Sequence, residues 1–245
     1  MGKRPLVRRR GRGGMQFRAA STGKLSPAKY PRFGLGEQKE GQVIDLVHET
    51  GRDAPLVKVK FDDGSVSFFP AILGTKIGLK IQFGLKSEIA PGNVISIQNI
   101  PDGTIVSNVE KYFGDGGTIV KSAGTYATVF SHSSEGVTIK LPSGKFTTLN
   151  PQNRAMIGIL AGGGVADRPF MRAGVAWRRK RSKGHKYPIV RGVAQAAYVH
   201  PHGGGRHQHV GKSSTVSRNA PPGRKVGSIA ARKTGRARIK ERQEQ

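Results

Sequence analysis

The sequence predicts an all-β protein with long basic extensions. Three observations carry that expectation. Apolar residues recur at every second position through the middle of the chain, Gly- and Pro-rich turns separate these short runs, and neither half of the middle holds a long amphipathic helix. Charge is segregated along the same lines. Within a net charge of +27, residues 1–32 hold ten Lys or Arg and no acid, residues 33–167 hold twelve against thirteen acids, and residues 168–245 hold twenty against two. A near-neutral centre with two cationic arms points to a polyanionic partner.

The first arm is dense in Arg, Gly and Pro and shows neither helical nor strand periodicity. Alone it is expected to be disordered, because it has too little apolar surface to offset its chain entropy. Its candidate RNA contacts are Arg8, Arg9, Arg10, Arg12 and Arg18. Met15, Phe17, Tyr30 and Phe33 are interleaved with these charges, a mixture suited to base stacking together with phosphate contact.

In the middle, Val57, Val59 and Phe61 alternate with Lys58 and Lys60, and Asp62-Asp63-Gly64 then turns the chain into Val66-Ser67-Phe68. Ile77, Leu79, Ile81 and Phe83 alternate with Gly78, Lys80 and Gln82, as in a half-buried strand. Val43–Val47, Val94–Ile97 and Thr104–Val109 add further strands, with turns at Ala90-Pro91-Gly92 and Pro101-Asp102-Gly103. A handful of strands over ~75 residues fits a small closed barrel such as an OB-fold. Gly114-Asp115-Gly116-Gly117 marks a boundary, after which Tyr126–Phe130, Val137–Leu141, Phe146–Leu149 and Met156–Leu160 form a second series. Pro142-Ser143-Gly144-Lys145 makes a tight hairpin within it, and the series has the size of an SH3-like barrel.

Beyond Leu160 the pattern dissolves into Ala161-Gly162-Gly163-Gly164. The densest charge run follows at Trp177, with Arg178, Arg179, Lys180, Arg181 and then Lys183 as candidate RNA contacts. Arg191 leads toward a loop that holds four of the seven histidines, Val199-His200-Pro201-His202-Gly203-Gly204-Gly205-Arg206-His207-Gln208-His209. Lys212, Arg218, Arg224, Lys225, Arg232 and Lys233 continue the basic tail, and from about Ile229 its composition suits a short basic helix against RNA.

Several chemistries can be weighed against this loop. A phosphate-binding P-loop needs four residues between its glycines, whereas five separate Gly205 from Gly211-Lys212-Ser213, and no apolar strand leads in. His200, His202, His207 and His209 are of a type that binds zinc, copper or nickel. However, His-x-His in an extended loop turns its rings opposite ways, and no acidic group is near to orient them. The same lack of a nearby carboxylate and of a nucleophile elbow argues against a hydrolase. There is no cysteine for a disulfide or a cysteine-ligated metal site. No apolar run is long enough to span a bilayer, the N-terminus lacks the apolar core of a signal peptide, and Leu6 stands where myristoylation needs Ser or Thr. A soluble, intracellular protein is expected. Nucleic-acid contact accounts for arms and loop together, since imidazole stacks on bases and glycine lets backbone N–H groups approach phosphates. Arginine adds bidentate phosphate recognition.

These residues resemble a known family. His200-Pro201-His202-Gly203-Gly204-Gly205, preceded by Arg191-Gly192-Val193-Ala194, looks like the signature of the universal large-subunit ribosomal protein L-two family. The likeness runs through Glu88–Asn93, Pro101–Thr104, Gly114–Gly117, Ser122–Ala127, Leu141–Lys145 and Arg154–Gly158. Arg206-His207-Gln208-His209 and the Ala220–Gly227 run are similar to archaeal and eukaryotic members, while His202 departs toward the bacterial form. The resemblance implies a basic extension over 1–36, an OB-fold RNA-binding domain over 37–113, an SH3-like barrel over 114–195 and a basic extension over 196–245. It further implies a cytoplasmic, non-enzymatic constituent of the large ribosomal subunit. Expected partners are large-subunit rRNA, neighbouring large-subunit proteins and the small subunit, with no membrane. It implies support of subunit association, tRNA binding and the peptidyl transferase region, and a supporting role for His200. No cofactor is expected beyond magnesium bridging backbone groups and rRNA phosphates. The reading from another class is a general nucleic-acid-binding architectural protein with no ribosomal specificity.

Overall fold

The computed structural model describes residues 6–34, 36–85 and 87–232. The chain divides into two compact units, Ser21–Met171 and a second made of Met1–Ala20 with Arg172–Gln245. Among the described residues no helix is long and apolar enough to cross a membrane.

The unit Ser21–Met171 is built on ten strands. The first five are β1 (Lys39–Val47), β2 (Leu56–Phe61), β3 (Val66–Pro70), β4 (Lys80–Phe83) and β5 (Val94–Ser96). The next five are β6 (Ile105–Ser107), β7 (Ala127–Ser133), β8 (Gly136–Lys140), β9 (Phe146–Leu149) and β10 (Arg154–Ile157). They form one sheet in the order β3-β2-β1-β4-β5-β10-β6-β7-β8-β9. β4 and β5 pair in parallel at Phe83 and Val94, and the other neighbours pair antiparallel. The all-β class expected from the alternation is the class observed.

Two apolar cores lie within this unit, and β10 serves both. Successive side chains of a strand point to opposite faces. Met156 accordingly packs with Val43, Val59, Phe69, Phe83 and Leu160, whereas Ala155 and Ile157 pack with Ile95, Val106, Val129 and Ile139. Phe83, fully buried, is the hub of the first core. The rings of Tyr30, Phe33, Phe61 and Phe69 meet it edge to face at 5.3 to 6.2 Å. Each such buried side chain contributes about 1.5–3 kcal/mol of transfer free energy.

Tyr30 and Phe33 therefore are not RNA-stacking residues of a loose arm. Tyr30 is 3% exposed. Its hydroxyl donates to the Asn108 carbonyl at 2.8 Å, and its backbone N–H donates to Gly116 O at 3.1 Å. Burial first, and the nearby Glu110 carboxylate second, hold the Tyr30 hydroxyl well above its ordinary pKa. An aromatic among cations reads the same in sequence whether it stacks on a base or plugs a core.

A buried ion pair closes the same region. Arg154 and Glu110 are almost fully buried, with Arg154 Nη2 donating to Glu110 Oε1 at 2.6 Å and Nε to Oε2 at 3.0 Å. Arg154 Nη1 also donates to Pro31 O at 3.2 Å. The guanidinium carbon sits 4.8 to 5.8 Å from the ring centroids of Phe33, Phe113 and Tyr30.

One strand begins later than its alternation implies. Gly78 takes a left-handed φ of +87° and donates to Val43 O at 2.8 Å, so the chain turns there and β4 starts at Lys80. Ile77 is left 64% exposed, and only Ile81 and Phe83 of the expected apolar row are buried. The turns at Asp62-Asp63-Gly64 and Pro142–Lys145 form as expected: Gly64 donates to Phe61 O at 2.9 Å, and Gly144 to Leu141 O at 2.8 Å.

The second unit is built differently. Its elements are α1 (Leu6–Arg9), α2 (Ala173–Ser182) and the two-residue parallel pair β11 (Thr215–Val216) and β12 (Ser228–Ile229). Among its described residues only two apolar side chains are buried, Ala176 and Val226. The basic run at Trp177, which falls within the span read as an SH3-like barrel, is helical. Ala, Arg and Lys are strong helix formers, and three cations in the last turn suit the negative end of the helix dipole. The helix closes with His185 N–H on Lys180 O at 2.8 Å and Gly184 N–H on Arg181 O at 3.0 Å, with Gly184 at φ +71°. Ser228–Ile229 pairs as strand, so no helix begins at Ile229; the remainder of that expectation, from Lys233 onward, lies outside the described residues.

Candidate nucleic-acid interface

The described part of the second unit, residues 6–20 and 172–232, contains nineteen Lys or Arg and not one Asp or Glu. Like charges at this density repel, and with two buried apolar side chains there is little internal burial to oppose them. The unit Ser21–Met171, by contrast, balances sixteen Lys or Arg with thirteen acids.

Close contacts at two glycines bring three cationic stretches of the second unit together. A side chain at Gly184 would strike Phe17 O at 2.7 Å and Ala19 N at 2.9 Å, so the segment bearing Arg18 crosses the C-terminal end of α2. The Arg8 stem lies against Gly223, next to Arg224 and Lys225. On α2 itself, Arg181 lies over the Trp177 ring at 4.9 Å, and Lys180 over the Tyr187 ring at 4.3 Å. Arg178 is exposed, while Arg179 and Lys183 are half-buried. Arg10, Arg12, Arg206, Lys212, Arg218 and Arg232 are exposed along the same unit; Arg9 and Lys225 are half-buried; Lys233 lies outside the described residues.

The histidine loop is a folded turn. Its rings do not diverge as an extended His-x-His would require: Gly203 N–H bonds to His200 O at 2.9 Å, and the tightened chain sets the His200 and His202 rings 5.2 Å apart, edge to face. His202 N–H donates to His200 Nδ1 at 3.1 Å, so the neutral His200 ring carries its proton on Nε2. Burial, reinforced by neighbouring His202, lowers the His200 pKa and keeps the ring neutral at physiological pH.

Two glycines make this packing possible. A methyl group on Gly192 would collide with the His200 ring, and one on Gly203 would collide with the Gln195 and Ala196 carbonyls. Gly204 and Gly205 follow with φ of +87° and +86°, and Gly204 N–H is held by Gln195 O at 3.0 Å. Arg191 Nη2 donates to Gln208 Oε1 at 2.9 Å, tying the two ends of the loop. His209 Nδ1 lies 2.8 Å from His207 O, and both rings are exposed. Among the described residues no group of three or more His, Cys, Asp or Glu is placed to hold a metal ion.

The candidate residues missed Tyr198. It is 85% exposed two positions before His200, where an aromatic among cations can stack on a base. Its signal in the sequence is a lone aromatic in the Ala197-Tyr198-Val199 approach to the histidine loop.

Comparison with known proteins decides what this arrangement belongs to. The family model for Ribosomal Proteins L2, C-terminal domain, matches residues 90–225. The chain is 78% identical over 242 residues to the large ribosomal subunit protein uL2 of Cenarchaeum symbiosum, covering 99% of this chain and 100% of that one. The chain belongs to the ribosomal protein L2 family. The uL2 protein of Nitrosopumilus maritimus is likewise 78% identical, over 243 residues, with 99% and 100% covered. That of Sulfurisphaera tokodaii is 48% identical over 236 residues, with 96% and 98% covered. The L2-family match takes in the helix α2 and the whole histidine loop. Members of the L2 family are structural components of the ribosome, not enzymes.

Proposed function

We propose that this L2-family chain is a cytoplasmic structural constituent of the large ribosomal subunit. It binds large-subunit rRNA through the cationic second unit and supports subunit association, tRNA binding and the peptidyl transferase region. The observation that carries the reading is that the described residues of this unit hold nineteen cations, no acid and two buried apolar side chains, in a chain that is 78% identical to uL2 proteins. Such a unit gains most of its order from a polyanion, because its own burial cannot offset chain entropy.

In this reading the first core, around Phe83, belongs to an OB-fold barrel and the second, around Ile139, to an SH3-like barrel. Two separate apolar clusters sharing β10 support it. The candidate contacts are the arginines of residues 8–18, the α2 cations and the loop from His200 to Lys212. Neighbouring large-subunit proteins and the small subunit complete the partners, and magnesium enters only as a bridge between backbone groups and rRNA phosphates.

Salt titration tests the mechanism. Each phosphate contact contributes ~0.7–0.9 to the slope of log K against log salt, so roughly ten contacts give a slope near −7 to −9. Co-sedimentation with large subunits after a high-salt wash tests the specificity. A nearly flat salt response, or retention on large subunits no better than on unrelated RNA under the same wash, contradicts the proposal.

A further inference from the structure

β7, β8 and β9 turn one side inward onto the second core and leave the other open. Register sets Thr128, Lys140 and Phe146 in a row across the three strands, with Ser131, Thr138 and Thr148 in the next. A bulge between Val129 and Ser131 pushes Phe130 out between these rows. Phe130 and Phe146 are 56% and 53% exposed, with ring centroids 4.9 Å apart and planes at 65°. Tyr126, just before β7, is 45% exposed. A shallow groove of about 370 Å³ runs beside them, lined by Thr125, Tyr126, Thr128, Lys140 and Pro142.

The solvent side of an antiparallel sheet is ordinarily polar, and a cross-strand aromatic pair returns only about 0.2–1 kcal/mol. Clustered exposed rings therefore mark a contact surface. Charge decides what kind. Lys140 stands in the middle of the row and Lys145 in the adjoining turn, both exposed, and none of the outward residues of these rows is acidic. Lysine is depleted from the cores of protein–protein interfaces, where it would be buried without a counter-charge. Aromatic rings beside lysines instead match a nucleotide, whose base stacks while its phosphate meets the ammonium.

We propose that the outward face of β7–β9 is a stacking platform for an unpaired nucleotide of the large-subunit rRNA. With their planes at 65°, only one of Phe130 and Phe146 lies flat under the base; the other walls its edge, and Lys140 or Lys145 holds the phosphate. This inference rests on the rRNA-binding reading above and assigns a site within the near-neutral unit itself.

The test uses the full chain and large-subunit rRNA. Phe130→Ala with Phe146→Ala, and Phe130→Leu with Phe146→Leu, both alter exposed side chains, and unchanged thermal unfolding verifies their folding. Each pair is expected to weaken binding at least about fivefold, from loss of one base–aromatic stack. The leucine pair leaves the salt slope unchanged, whereas Lys140→Met combined with Lys145→Met lowers it by about one phosphate contact. Ultraviolet crosslinking of the parent chain is expected to attach an unpaired nucleotide to a peptide containing residue 130 or 146. If the chain binds rRNA but both double variants bind within twofold of it, or if no peptide containing residue 130 or 146 crosslinks to the bound rRNA, the platform is wrong and the parent reading stands. If the parent chain itself does not bind rRNA, both fail.

Discussion

Replacing Glu110 by Gln gives the sharpest test of how the sheet unit is held. Glu110 Oε1 accepts from Gly116 N and Arg154 Nη2, and Oε2 accepts from the N and Nε of Arg154. Glutamine keeps the shape but turns one of those oxygens into an NH₂ group, which cannot accept. Whichever oxygen is lost, two donors face a donor, and the buried guanidinium loses its counter-charge. Breaking one side of a buried pair costs about 3–5 kcal/mol, against a total stability of roughly 5–15 kcal/mol for a domain. With a urea m-value of about 1–3 kcal/mol per molar, the unfolding midpoint should fall by more than ~1 M. Circular dichroism during urea titration reads this directly. Combining Glu110→Leu with Arg154→Met removes the unpaired charge but leaves the Gly116 and Arg154 backbone N–H groups without their Glu110 acceptors and Pro31 O without its donor. It should therefore recover only part of the loss. A single variant within ~1 kcal/mol of the parent, or a double variant no better than the single, refutes the reasoning.

Three further outcomes are expected. Gly184→Ala should loosen the end of α2 by at least ~1–2 kcal/mol, because position 184 needs a left-handed φ and touches the backbone of Phe17 and Ala19, whereas Gly174→Ala, with open space around it, should not. Faster amide exchange at positions 184 and 185 of the rRNA-bound chain in the first variant alone is the readout, and equal exchange in both contradicts the packing. The folded loop favours neutral His200, so its contribution is complete above the ordinary histidine pKa of 6.5 and declines as pH falls below that value. Imidazole NMR shifts and exchange of the His202 amide should change together over that fall; a His200 that titrates at the ordinary value argues against burial of its ring. Lys121 donates to Ala28 O and Gly117 O at 2.7 and 2.8 Å, and burial, with Arg52 and Lys29 nearby, pulls its pKa down to about 8. The unfolded chain then holds the extra proton between about 8 and the ordinary 10.5, so stability attributable to Lys121 should rise with pH across that window and not fall.

Much of the sheet was legible because alternation is a local signal. Val57, Val59 and Phe61 are buried in β2 as their spacing implies, and β9 occupies Phe146–Leu149 as read. Errors arose where a distant contact overrides local pattern. Ile77 fits an alternating row, yet the turn at Gly78 leaves it in solvent. Tyr30 and Phe33 sit among cations, yet both join the core beside Phe83. α2 escaped notice because only Ala176 of its ten residues is buried, so there is no apolar stripe to detect. The loop was recognisable from its His and Gly residues, but the turn that brings His200 against His202 depends on Gly192, a residue outside it.

The central claim is that a self-sufficient β unit carries a cationic unit whose order comes from rRNA. Amide hydrogen exchange of the full chain, with and without large-subunit rRNA, addresses it in one measurement. Strong protection gained across residues 6–18 and 172–232, with strands β1–β10 already protected in the free chain, is the predicted result. A free chain in which residues 172–232 are as protected as the strands, and in which rRNA changes nothing, contradicts it.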